Sequence, residues 1–175
     1  MDVKYTIEKR NVKRARLEFR RDSLFVVVPL RRSFDIVSFI KRHQAWIEKK
    51  QAHLEVLKSI YNLGVKHERT PAELHKLVHD LLEQGFEKLG VKPKHLRFRK
   101  MRSRWGSCTS GGVVTLNAHI QNLPEGLIWY ILYHELCHLK VAGHGKPFKQ
   151  LMGTEFLDTK KMEQQMRAYA LGIIE

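Results

Sequence analysis

Cysteine is nearly absent from this chain: Cys108 and Cys137 are the only two in 175 residues. Two thiols build no disulfide framework, and their spacing excludes a C-x-x-C zinc ribbon. A reducing compartment fits that usage. Long apolar runs are also missing. The longest, Leu127 to Tyr133, falls far short of the roughly 20 residues a membrane span needs. Met1-Asp2-Val3-Lys4-Tyr5 has neither an apolar stretch nor a small-residue cleavage site, so it does not read as a signal peptide and a cytoplasmic location is expected. Acid is scarce: 18 Asp and Glu stand against 32 Lys and Arg, for a net charge of +14. That balance attracts phosphates, nucleic acid or acidic peptides, although a generally basic solvated surface has the same composition. There is no internal repeat, no low-complexity segment and no glycine-rich phosphate loop.

What the chain does contain is a 43% hydrophobic fraction, enough for a core. Its length suits one domain or one domain with a smaller attachment. The pattern divides into an N-terminal part over 1–62 and a larger part over 63–175. In the first, Ala15, Leu17 and Phe19 alternate with charged residues, which predicts a strand. Arg21-Asp22-Ser23 turns, Leu24 to Val28 forms a buried strand closed by Pro29, and the two make a hairpin. Tyr5-Thr6-Ile7 adds an earlier strand. Ser33 then caps one long helix whose inward stripe runs from Ile36 through Ile47 to Leu57. In the second part, Thr70-Pro71-Ala72-Glu73 is a capping box with proline at the first helical position. Leu74, Val78, Leu81 and Phe86 continue the helix to Gly90. Lys94–Met101 and Val113–Ile120 read as strands that would pair antiparallel. From Lys88 to Arg104 the chain carries Lys88, Lys92, Lys94, Arg97, Arg99, Lys100, Arg102 and Arg104 with no acid among them.

The chemistry concentrates in His134-Glu135-Leu136-Cys137-His138. On a helix, residues four apart lie on one face, so two imidazoles reach one metal ion. Glu135 projects beside the metal's open position, where it can take a proton from water. The helix is supplied by Pro124 at its start and by Leu127, Ile128, Ile131 and Leu132 at helical spacing, with Gly143 as a left-handed stop. Placing two histidines and a carboxylate in an apolar helix is costly without a metal or other partners. A catalytic zinc normally takes three protein ligands and keeps one position open. His144, just past Gly143, is the best-placed third ligand, ahead of Glu155, Asp158 and His119. Cys137 reads as a small buried core residue. Pro147 starts a short helix, and Asp158 or Thr159 caps a last one with Met162, Met166, Tyr169 and Ile173 inward.

Arg102-Ser-Arg-Trp-Gly-Ser-Cys108, Leu116-Asn117, His134-Glu-Leu-Cys-His-Leu139 and Gly143-His144-Gly145 with Phe148 together resemble the YgjP-like metallopeptidase family, which is related to the SprT-like zincins. The resemblance extends to the N-terminal half through Val26-Val27-Val28-Pro29, Phe39-Ile40-Lys41 and Ala45-Trp46-Ile47. It implies an α+β fold with a zincin-like core: a backing helix, a short antiparallel sheet and an H-E-x-x-H active-site helix, joined to an N-terminal β-hairpin and long helix. It implies one Zn2+ held by His134, His138 and His144, with Glu135 as general base. The family usually has Asn-His-Ser where this chain has Gly143-His144-Gly145, which removes side-chain support around the third ligand.

The expectation is a zinc-dependent hydrolase acting on a peptide or protein substrate. The Val113–Ile120 strand, if at a sheet edge, would pair with an extended peptide. Asn117 and Ala118 resemble the edge-strand pair that contacts substrate in some other zincins, and Arg102 or Arg104 could stabilise an oxyanion. Two alternatives remain open. Some family members are described as nucleoside-triphosphate pyrophosphatases, and the basic run would suit a nucleotide. A nucleic-acid-binding protein with a structural zinc is the other, although such sites usually close four ligands around the metal. No membrane partner is expected, and the sequence leaves the oligomeric state open.

Overall fold

The structure, a computed structural model, describes residues 4–20, 23–31 and 33–173. Met1-Asp2-Val3 and the Arg21-Asp22 part of the expected turn lie outside them. The chain forms two compact units, Met1–Ser59 and Ile60–Ile174. Among the described residues, no helix is long and apolar enough to cross a membrane.

In the first unit, β1 (Tyr5–Arg10), β2 (Arg16–Arg20) and β3 (Ser23–Pro29) form a sheet ordered β1-β3-β2. The expected hairpin is present, with β2 antiparallel to β3, and β1 joins on the other side in parallel. Leu24, Val26, Val27 and Val28 are buried, as befits a central strand flanked on both sides. The helix that follows is not continuous. It comprises α1 (Ile36–Arg42) and α2 (Gln44–Leu63), separated at His43. There φ is −107°, and Nδ1 donates to the Phe39 carbonyl at 2.7 Å. Nor does Ser33 cap it. Asp35 does, its Oδ1 accepting from the Ser38 N–H at 3.0 Å. An acidic cap two residues nearer the first turn meets both the free N–H groups and the positive end of the helix dipole.

In the second unit, α3 (Pro71–Leu89) begins on the expected capping box. The Thr70 N–H donates to Glu73 Oε2 at 2.7 Å, and the Glu73 N–H donates to the Thr70 hydroxyl at 3.3 Å. Gly90, at φ 67°, closes the helix in the left-handed region. The sheet consists of β4 (His95–Arg99), β5 (Gly106–Cys108) and β6 (Val113–Asn117), ordered β4-β6-β5. β4 and β6 are neighbours but run parallel, which overturns the antiparallel pairing expected from their sequence; the sheet is mixed. The reason is β5. It is too short and too polar to read as a strand, yet it reverses the chain between the other two and forms the antiparallel partner of β6. A turn through Gly112 at φ 80° joins them. β6 also stops early, at Asn117, and gives way to a 3-10 helix over Ala118–Asn122.

Three helices complete the unit: α4 (Glu125–Cys137), α5 (Lys146–Glu155) and α6 (Thr159–Ile173). Residues Leu127 to Tyr133 of α4 are all buried, because α3, the sheet, α5 and α6 each pack against it. The fold is α+β with the layering of a zincin core: backing helix α3, sheet, and central helix α4. Replacing Thr70 with alanine should remove the capping box and cost about 1 kcal/mol, read as a lower urea midpoint with unchanged slope.

Candidate metal centre and its cleft

His134 lies in the last turn of α4, and His138 caps that helix with near-helical angles, φ −68° and ψ −17°. The helix therefore ends well before Gly143. The N–H groups of Leu139, Lys140 and Val141 return to the carbonyls of Leu136 and Cys137, which tightens the exit. Gly143 adopts φ 71°, a conformation glycine takes without strain, and the chain doubles back to His144. Three imidazoles converge as a result. Their ligand atoms all lie within 4.8 Å of one another, and Nε2 of His144 is 3.1 Å from Nε2 of His134. Two nitrogens bonded to one tetrahedral zinc at about 2.0–2.1 Å sit roughly 3.4 Å apart, so the spacing suits one ion. His138 Nδ1 donates to the Val141 carbonyl at 3.3 Å, which leaves Nε2 free as a ligand atom. The Phe148 ring packs against all three imidazoles, with centroids at 4.8, 4.6 and 4.7 Å, and stacks on His138. Burial, reinforced by the neighbouring His138 and His144, pushes His134 down to about 4. It is thus held neutral, the form that ligates metal. A neutral His134, a fixed His138 tautomer and an apolar floor fit a divalent metal.

The rival ligands are engaged elsewhere. Glu155 accepts from the Trp129 indole at 2.9 Å and pairs with Lys88 at 2.7 Å. Asp158 Oδ1 caps α6 by accepting from the Lys161 N–H at 2.9 Å. His119, on the 3-10 helix, is outside the triad. Cys137 is fully buried in the core, and its thiol is pushed up to about 12 by that burial. Cys108 also lies outside the triad.

Glu135 is 6% exposed. It fits because Gly106 of β5 has no side chain: a Cβ there would fall 2.5 Å from Glu135 Oε1 and 2.8 Å from its Cγ. Burial raises the carboxyl to about 7, against the pull of Arg104 in the opposite direction. A carboxylate poised near neutrality beside a cluster of ligands has the character of a general base. A cleft of about 480 Å³ opens over His134, Glu135 and His144, walled by Trp105, Tyr130 and Ile131 on one side and by Glu163, Met166 and Arg167 of α6 on the other. The Trp105 indole donates to the Met166 carbonyl at 3.3 Å, joining the two walls. Tyr130, one turn before His134, was legible from helical spacing; the α6 wall was not, since it is about 30 residues away in sequence and no local pattern marks it.

The remaining expected site residues lie in different settings. Asn117 is fully buried and does not line the cleft. Its amide donates to the carbonyls of Met101 at 2.8 Å and Arg104 at 2.9 Å, and its Oδ1 accepts from the N–H groups of Met101 and His119. It pins the loop that carries Arg102 and Arg104. Arg104 is exposed, and its charge is felt at Glu135. Arg102 lines a separate basin rather than the cleft. Nor is β6 a sheet edge; it is the central strand, and the edge strand beside α4 is β5. Asn117→Ala leaves four backbone groups without their partner. Its stability should fall by about 2–4 kcal/mol in denaturant titration, and Asn117→Asp, which keeps the two acceptor bonds but turns a buried carboxylate oxygen toward the Met101 and Arg104 carbonyls, should lose at least as much.

The YgjP-like metallopeptidase domain family matches residues 67–169. The match leaves out the N-terminal strands and all of α1 and α2, to which the resemblance in sequence extends. Comparison with curated proteins gives no match. Among solved structures, the metallopeptidase zymogen of Pyrococcus abyssi abylysin is similar at 29% identity over 53% of this chain and 93% of that one, with a TM-score of 0.47. The metallopeptidase zymogen of Methanocaldococcus jannaschii jannalysin is similar at 21% identity over 53% and 95%, with a TM-score of 0.48. With more than half of its length matched by the family, including the convergent histidines and Glu135, the chain belongs to the YgjP-like metallopeptidases.

Proposed function

We propose that the protein is a zinc metallopeptidase in which His134, His138 and His144 hold one Zn2+ and Glu135 is the general base. The observation that carries this reading is the convergence of three imidazoles beside a buried carboxylate at the floor of an open cleft. Bound zinc would supply a Lewis acid that brings the pKa of water at its open position toward 7. The Glu135 carboxylate takes a proton from the attacking water as its oxygen bonds to the scissile carbonyl carbon. It then delivers that proton to the amide nitrogen as the C–N bond breaks. Gly106 keeps the carboxylate in place from the side of β5, and Trp105 and Tyr130 exclude solvent around it. Arg104 is the cation positioned to stabilise charge developing near Glu135. An extended peptide would pair with β5, the free edge next to α4, by main-chain hydrogen bonds. Neither of the alternative chemistries has comparable geometric support.

Two outcomes test the reading. Glu135→Gln should bind one zinc per chain with unchanged stoichiometry and hydrolyse no peptide; cleavage by that variant would sink the mechanism. The metal-free protein supplies a second test through its stability. Folding raises the Glu135 carboxyl from its ordinary value of 4.5 to about 7. The folded state therefore holds its proton more tightly than the unfolded chain, and this contribution, intact at pH 4.5 and below, is lost as pH rises through 7. Metal-free Glu135→Gln should accordingly melt above wild type at pH 8 and lose that advantage by pH 4.5.

A further inference from the structure

The basic run before Trp105 is not a uniform cationic track. Lys88 pairs with Glu155 and Lys92 with Glu83, so its first charges are neutralised locally. The later ones gather at the end of β4 and in the loop that follows. Leu96, Phe98, Val114 and Leu116 face the core, so the alternate positions Arg97, Arg99 and Thr115 face outward, with Ser107 opposite Thr115. The loop pinned by Asn117 folds over the end of this outward face. Together they enclose a basin of about 570 Å³ that includes Arg99, Lys100, Arg102, Arg104, Ser107 and Thr115. Among the described residues, Arg99, Lys100 and Arg102 form no ion pair. The basin touches the catalytic cleft: Ser103 lines both, and Arg104 in the basin influences Glu135 in the cleft.

We propose that this basin binds an acidic segment of a polypeptide substrate while the adjoining segment lies in the cleft, which makes the enzyme selective for sequences bearing Asp or Glu near the scissile bond. The proposal rests on the peptidase reading above. Guanidinium forks pair bidentately with carboxylates, and hydroxyls at the basin floor add donors. A chain leaving the cleft has only Ser103 to pass before reaching the basin. Nucleic acid is the other polyanion such a basin attracts. The basin has no aromatic ring on which bases could stack, and two lysines of the same basic run, Lys88 and Lys92, are already paired.

The test uses the zinc-loaded full chain and pairs of peptides that differ only in three Glu or three Gln on one side of a common cleavable segment, with both sides tried. The Glu peptide of one pair should show kcat/KM about five- to tenfold higher, a ratio that falls toward one at about 0.5 M salt. The same ratio should fall in Arg99→Gln/Lys100→Gln, with thermal melting confirming that the variant is folded. Equal rates for Glu and Gln peptides in wild type overturn the proposal and leave the peptidase reading intact. A second arm measures fluorescence anisotropy of a labelled Glu-rich peptide and of a labelled DNA duplex with inactive Glu135→Gln. Peptide binding that is lost with Arg99 and Lys100 supports the proposal. DNA bound more tightly than the peptide through those same residues overturns it in favour of nucleic acid. If no peptide is cleaved at all, the peptidase reading fails, and this arm still decides whether the basin takes acidic chains.

Discussion

One carboxylate buried in an apolar helix governs the arrangement around it. Glu135 sits in α4 among residues that are almost all buried, where a charge without compensation is strongly disfavoured. The space it occupies exists because Gly106 presents only backbone on the facing strand. That strand is three residues long and packs directly on α4, so the register of β5 determines where the carboxylate lies relative to the histidines. The raised proton affinity of Glu135 is the electrostatic consequence of that burial, tempered by Arg104. A site of this kind is held in a state the isolated protein would not choose, which is the usual relation between function and local stability.

The cluster of three histidines is built by the way a helix ends. α4 stops at Cys137, the following N–H groups fold back onto its last carbonyls, and Gly143 supplies the reversal that returns His144. Neighbouring Gly145 starts α5 without a side-chain cap, so His144 has no polar side chain from either neighbour to hold it. Phe148, one turn into α5, supplies the support instead by packing against all three imidazoles at once. This is how a chain with glycines on both sides of His144 keeps that ring in line with the other two. Asn117 does the corresponding task for the opposite wall, holding the loop of Arg102 and Arg104 by four backbone contacts from a fully buried position. Its burial explains why a residue that resembles a substrate-contacting position belongs to the scaffold in this protein.

Much was legible in the sequence because it depends on neighbours within one or two turns. The capping box at Thr70, the β2–β3 hairpin, the apolar course of α4 and the shared face of His134 and His138 all follow from short-range periodicity and local hydrogen bonding. His144 could be picked out because a glycine suited to reversing the chain lies just before it, although the helix ends earlier, at Cys137. The composition likewise announced the basic character, though not where the charge would matter. Tertiary structure decided the rest, since those features depend on which distant segments meet. The parallel pairing of β4 with β6 required a third strand too short to leave a pattern. The break at His43 lay inside an uninterrupted helical stripe. The α6 wall, the room made by Gly106, the inward turn of Asn117 and the sorting of paired from unpaired cations are relations between residues ten to seventy positions apart, and backbone propensity and hydrophobic spacing carry no information about them.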